Sequence, residues 1–281
     1  MQLLGILVTV TIFSMMLSIG LNNSVRDLTT LWRDRALFFR SILAVVVIVP
    51  LVFFLLIVAF DLSAGVSSGL VLLAAAVGAP LTTKRASAAG ADLVYVSSLQ
   101  VSLAILTVLV APVLLAIAYA SFDLVTEHVG PMAVARQVAT VTLLPLLVGL
   151  GLKYYKPGLA TKVVEPLNRI SNILFLVLVV ALIGAVVALP DLRSQLLIGW
   201  PGTFAIVIIV LVSLAVGHLI GGPDQERRNG LAIVCVARNV GLALYIANLS
   251  ESSLTIIPTI IVYMLLGAFL AIPYSIWAKR R

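Results

Sequence analysis

Three cations, Lys84, Arg85 and Arg238, stand inside or beside long apolar runs of this chain. Charges so placed mark function by default, because hydrocarbon does not solvate them. Arg238 sits in Ala237-Arg238-Asn239-Val240-Gly241, between apolar stretches at 230–236 and 242–247. Its guanidinium is all donors, so it suits a carboxylate gripped at two points and cannot ligate a metal. The plainer alternative is a structural bond to a backbone carbonyl. Lys84 and Arg85 follow Ala79-Pro80-Leu81-Thr82-Thr83. They either help hold an anionic substrate at the start of a half-helix or snorkel toward headgroups. Asn239 either ligates substrate or stitches freed backbone, and Thr82 and Thr83 either touch substrate or cap the half-helix. Gln100 stands in a polar patch with Ser97 and Ser98, whose serines read as interhelical packing. The candidate substrate-binding set is Thr82, Thr83, Lys84, Gln100, Arg238 and Asn239.

Composition says what scaffold positions them. The chain is 62% hydrophobic and only 10% charged, against about 25% charged in a soluble domain, and its mean hydropathy is +1.21. That is an all-α polytopic membrane protein in contact with the lipid bilayer. The net charge of +7 lies between apolar segments rather than on one soluble face, so nucleic acid is not an expected partner. Cys235 is the single cysteine, which excludes an intramolecular disulfide and a multi-cysteine metal site. It reads as a small hydrophobe or as a handle for a metalloid. His128 and His218, near span ends, read as solvated loop residues. No catalytic Ser/His/Asp set, metal-ligand cluster or phosphate-cradling glycine loop is visible. Neither an enzyme nor a primary pump is expected, and no obligate protein partner is evident.

Nine spans are expected, near 3–21, 37–60, 64–90, 92–120, 131–152, 168–189, 198–220, 229–249 and 253–277, each unbroken one meeting the length of about 20 apolar residues that a bilayer demands. The first lacks a basic leader and a cleavage site, and reads as a retained helix. The third and eighth are interrupted, near Ala79–Thr82 and Ala237–Gly241. Irregular backbone at membrane depth survives only when buried in protein or lining a cavity. With the N-terminus outside, all but three of the 18 basic residues fall on inside connections and the tail, including Lys279, Arg280 and Arg281. The exceptions are Arg136 and Arg193, outside, and Arg238, within the membrane. This bias predicts N-out, C-in. Aligning the two broken spans leaves two units of opposite orientation, residues 1–120 (lacking a leading helix) and 131–281, an inverted repeat within a single domain of residues 1–281.

At the residues quoted, the chain resembles the bile acid:sodium symporters, within the superfamily that includes arsenite and auxin carriers. The stretch Met16-Leu17-Ser18-Ile19-Gly20-Leu21 resembles the family's "MGL" helix end, and Pro50 matches a proline in its next helix. The run from Ala64-Gly65-Val66 to Gly78-Ala79-Pro80 is similar to its approach to a first crossover. The run Arg238-Asn239-Val240-Gly241-Leu242-Ala243-Leu244 is similar to its second crossover, the most specific of these signals. The resemblance implies a panel bundle and a core bundle, the broken helices crossing in the core. It implies secondary transport of amphipathic organic anions by alternating access, often coupled to sodium, in the inner (plasma) membrane of a bacterium.

The sodium ligands of that family do not carry over. Its ligand glutamine falls on Val45. The serine–asparagine pair of the first crossover falls on Thr82 and Thr83, and the serine and threonine of the next helix fall on Val96 and Gln100. The glutamate of the second crossover falls on Val234 and its glutamine partner on Arg238. A hard cation needs convergent oxygen ligands, and two unit charges 4 Å apart repel by about 4 kcal/mol at an effective dielectric of 20. Arg238 is therefore expected to stand in for a bound cation, sodium being the only cofactor the resemblance suggests. The function expected is a carrier of small organic anions with no standard sodium coupling. The alternatives are a non-transporting membrane sensor or scaffold, and a metalloid efflux carrier using Cys235.

Overall fold

The computed structural model describes residues 2–125, 130–188, 198–250 and 252–280. Arg193, His128 and Arg281 lie outside the described residues. Among the described residues every regular element is helical.

The chain opens with α1 (Gln2–Asn22) and then a short amphipathic α2 (Val25–Arg33), between the first two expected spans. Leu28 and Leu31 of α2 are buried, and Trp32 Nε1 donates to Ser102 Oγ at 3.0 Å. Its polar positions kept it out of any apolar window. Helix α3 (Arg35–Ile42) passes through a π-helical stretch, Leu43–Ile48, into α4 (Val49–Ala59). Next come the short α5 (Ala64–Ala75) and α6 (Thr82–Ala88), then the long α7 (Leu93–Ser121). Helix α8 (Pro131–Val138) runs through a second π stretch, Ala139–Leu143, into α9 (Leu144–Tyr155). Helix α10 (Pro157–Ala188) is followed by α11 (Gly199–Ile220), α12 (Gln225–Val236), α13 (Val240–Ala247) and α14 (Ser253–Lys279).

Eight described helices are long and apolar enough to cross a membrane, where nine spans were expected. The exception is the expected span at 64–90. Its apolar part, Ala64–Ala75, has 12 residues and rises about 18 Å, well short of a hydrocarbon core of about 30 Å. The expected span at 168–189 belongs to a longer helix starting at Pro157, because residues 157–167 are helical although Lys162, Glu165 and Pro166 interrupt their apolar run.

Helix α1 packs on α9 and α10. The contact with α9 is close because two glycines face each other: a Cβ on Gly20 would lie 2.3 Å from Leu146 O, and one on Gly149 would lie 2.4 Å from Leu17 O. The outer face of α10 exposes Ile170, Ile173, Leu176, Val177, Val180 and Ile183, a surface suited to lipid. By contrast α5 and α12 to α13 are almost wholly buried. The broken helices therefore lie at the centre of the protein with intact ones around them. His218, expected in a solvated loop, is half-buried in α11, its Nδ1 hydrogen-bonded with Tyr274 Oη at 2.9 Å.

Candidate functional site

The first break opens earlier than expected. Helix α5 ends at Ala75, Ala76 leaves helical geometry, and Gly78 adopts φ +77°, a conformation glycine takes without steric cost. Ending a helix frees carbonyls that must find donors, and α7 supplies them. Thr107 Oγ1 donates to Val77 O at 3.1 Å and Gln100 Nε2 to Pro80 O at 3.0 Å. Gln100 Oε1 accepts from Thr83 Oγ1 at 2.6 Å. Thr82, one of the two threonines read as either substrate contacts or caps, does not cap α6 but donates its hydroxyl to Ala79 O at 2.7 Å. That carbonyl lies at the break and also accepts from the Thr82 backbone N–H at 3.3 Å.

The second break is shorter, Ala237 to Asn239, and closes itself. Asn239 Oδ1 accepts from Leu242 N at 3.0 Å, capping α13. Its backbone N–H donates to Ala76 O at 2.8 Å. The two breaks therefore touch. Val236 O accepts from Tyr263 Oη at 2.8 Å.

Arg238 is 3% exposed. Its Nη1 and Nη2 both donate to Val45 O at 3.3 Å, and Nη1 also to Ala74 O at 3.4 Å. The availability of these acceptors follows from local sequence. In the π stretch Val49 N–H reaches back to Ala44 O. The next residue, Pro50, has no N–H to offer, so the Val45 carbonyl stays unclaimed by its own helix. Ala74 lies in the last turn of α5, whose carbonyls the break leaves open. The guanidinium also stands 5.5 Å from the Phe53 ring centroid, within cation–π reach. Two buried donors, Arg238 Nε and Asn239 Nδ2, have no partner among the described residues.

A polar cavity of about 610 Å³ lies between α1, α10 and the first break. Thr83 and Lys84 line it, as do Asn22, Asn168 and Asn172, which sequence reasoning missed. Lys84 Nζ donates to Asn172 Oδ1 at 2.6 Å. Asn168 Oδ1 accepts from Ser18 Oγ and, at 3.0 Å, from Asn22 Nδ2. The signal was available: Glu165, Asn168 and Asn172 are three and four residues apart and so share one helical face. The other candidates lie elsewhere. Thr82, Arg238 and Asn239 line a second pocket of about 80 Å³ at the crossing, which shares Met15, Pro80 and Leu81 with the large cavity. Gln100 is buried behind the first break.

These residues do not fit a sodium ion at the positions implied by resemblance. Val45, Val96 and Val234 are buried and apolar, Thr83 and Gln100 satisfy each other, Thr82 gives its hydroxyl to Ala79 O, and a guanidinium stands at the position of Arg238. Among the described residues no group of three or more His, Cys, Asp or Glu gathers that could hold a metal ion.

Membrane-crossing helices interrupted at depth, with a charge at the break and a polar cavity beside it, belong to membrane transporters. A sequence profile of the Sodium Bile acid symporter family matches residues 9–189, and the chain belongs to that family of transporters. No curated protein matches the chain. The matched stretch contains the first break and the large cavity, and it ends before the second break and Arg238.

Proposed function

We propose that this protein is a secondary carrier of small organic anions, working by alternating access, in which Arg238 replaces the coupled sodium ion. The observation that carries the reading is the guanidinium on Val45 O and Ala74 O. It is a permanent positive charge where relatives gather oxygens around a cation, so the site has its cation before any substrate arrives.

The substrate lies in the large cavity, with Thr83, Lys84 and the asparagine amides as its polar contacts. Its anionic end faces the inner wall at Pro80 and Leu81, behind which Arg238 contributes its field through a poorly screening interior. Thr82, Gln100 and Asn239 hold the breaks in shape around it. In this reading the membrane contains nine spans, the third formed jointly by α5 and α6, with N-terminus outside and C-terminus in the cytoplasm. The cavity, lined by Asn22 and Lys84, then opens to the cytoplasm. Residues 1–120 and 131–281 form inverted repeats, and α1 with α8 to α10 forms a panel that rocks against the core.

The test is uptake of small carboxylates into proteoliposomes. Uptake in choline medium equal to that in sodium medium is the expected result. A steep sodium requirement overturns the role given to Arg238, and a protein that binds carboxylates without moving them is a sensor rather than a carrier.

A further inference from the structure

The pocket at the crossing of the breaks has a chemistry that the organic substrate leaves unused. At about 80 Å³ it is far smaller than the cavity of about 610 Å³ beside it, and its size suits one small ion with a few waters. Two guanidinium side chains line it, Arg85 and Arg238. Arg85 Nη2 donates to Gly267 O at 2.9 Å, while Arg238 keeps an unpartnered Nε. Asn239, 0% exposed, adds an unpartnered Nδ2. No carboxylate lines the pocket, and the ion pairs among the described residues join Arg227 to Asp34 and Asp92. Two cations and an amide with an unpartnered donor thus line one pocket without a counter-charge in a low-dielectric interior, where an unpaired charge is costly. The rest of the wall includes Ile12, Phe175, Leu178 and Met264, which favours an ion that sheds its hydration easily.

We infer that this pocket binds a small monovalent inorganic anion of the halide class, held by Arg85, Arg238 and the Asn239 amide. The crossover is then an anion site where relatives have a cation site. This rests on the reading that Arg238 has displaced sodium, and it is independent of whether organic anions are carried.

The experiment measures thermal stability of the purified protein in lipid nanodiscs at fixed ionic strength, exchanging gluconate for chloride or bromide. The expected result is a melting temperature that rises with halide, levels off as the site fills, and is unchanged when choline replaces sodium. Asn239→Asp keeps the oxygen that caps Leu242 and places a negative charge at the site. It is expected to fold in gluconate and to bind halide about tenfold more weakly or worse, because the carboxylate repels the anion. A wild type indifferent to gluconate against chloride overturns the inference, as does an Asn239→Asp protein with an undiminished halide response. Wild-type crystals grown in bromide read the site with no variant at all. Anomalous scattering within hydrogen-bond reach of Asn239 Nδ2 supports it, and density elsewhere only overturns it. A halide response without carboxylate uptake sinks the carrier reading and leaves the anion site standing; uptake without a halide response does the reverse.

Discussion

The two breaks solve one problem with opposite means. Both interrupt a helix at depth and must satisfy the backbone they free. The first, six residues long, is stitched from outside by neutral side chains, Thr107 on Val77 O and Gln100 on Pro80 O, with Thr83 of α6 holding Gln100 in turn. The second, three residues long, caps itself through Asn239 and then reaches outward, Arg238 donating to carbonyls of two other helices. One break receives hydrogen bonds and the other dispenses them. The difference teaches that a break's shape and its charge are separable. The neutral one faces the polar cavity and lies inside the family match, while the charged one lies beyond it.

Arg238 is where that contrast can be broken most decisively. Replacing it by Gln keeps a donor for one carbonyl and removes the charge. Carboxylate binding is expected to weaken by about 2 kcal/mol, the Coulomb energy of two unit charges about 8 Å apart at an effective dielectric of 20, and sodium is expected to begin to matter. Arg238→Lys should recover only part, since a point charge lacks the planar fork. The check is substrate affinity of the three proteins, with and without sodium, beside their melting temperatures. Normal folding together with unchanged affinity in Arg238→Gln would make the arginine merely structural.

At the neutral break the expected penalty falls on stability instead. Gln100→Leu strands Pro80 O and Thr83 Oγ1, and a buried group left unsatisfied costs about 1–3 kcal/mol. Thermal unfolding should show that loss, with sodium independence untouched. If Gln100→Leu instead makes uptake depend on sodium, the division of labour between the breaks is wrong.

A smaller loss is expected at the cap of the second break. Asn239→Ala deprives Leu242 N–H of its acceptor, and losing such a cap costs about 0.5–2 kcal/mol. Asn239→Ser should restore most of it, which a comparison of the two melting temperatures decides.

Much of this was legible in the sequence, for reasons that differ residue by residue. Arg238 announced itself as a charge in an apolar run, and Pro80 and Asn239 marked where helices cannot or need not continue. The onset of the first break was not legible, because Ala76 and Val77 are ordinary helix residues. Only the φ of Gly78 and donors far away on α7 draw the chain out there. Pro50 was read only as a point of resemblance, though its missing N–H is what leaves the Val45 carbonyl to Arg238. The cavity on α1 and α10 was missed because its asparagines are scattered along the chain. They meet only after Gly20 and Gly149 bring α1 and α9 together and α10 extends past its apolar stretch.

The smallest expected effect is at Lys84, and its size tests whether the large cavity behaves as water or as protein. Its Nζ bonds Asn172 Oδ1 at the cavity wall, where solvent screens the charge. Exposed ion pairs are worth about 0.2–1 kcal/mol, so Lys84→Gln should weaken carboxylate binding only about two- to fivefold. Because surface charges are screened over about 8 Å at physiological salt, the difference between wild type and variant should shrink further as salt is raised. Arg238, buried at the crossing, should show no such salt dependence. The measurement is carboxylate affinity of both variants in low and high choline gluconate, which holds halide and sodium constant. A Lys84→Gln loss as large and as salt-insensitive as that of Arg238→Gln would mean the substrate carboxylate is desolvated at Lys84. The working charge would then sit at the first break, with the second reduced to scaffolding.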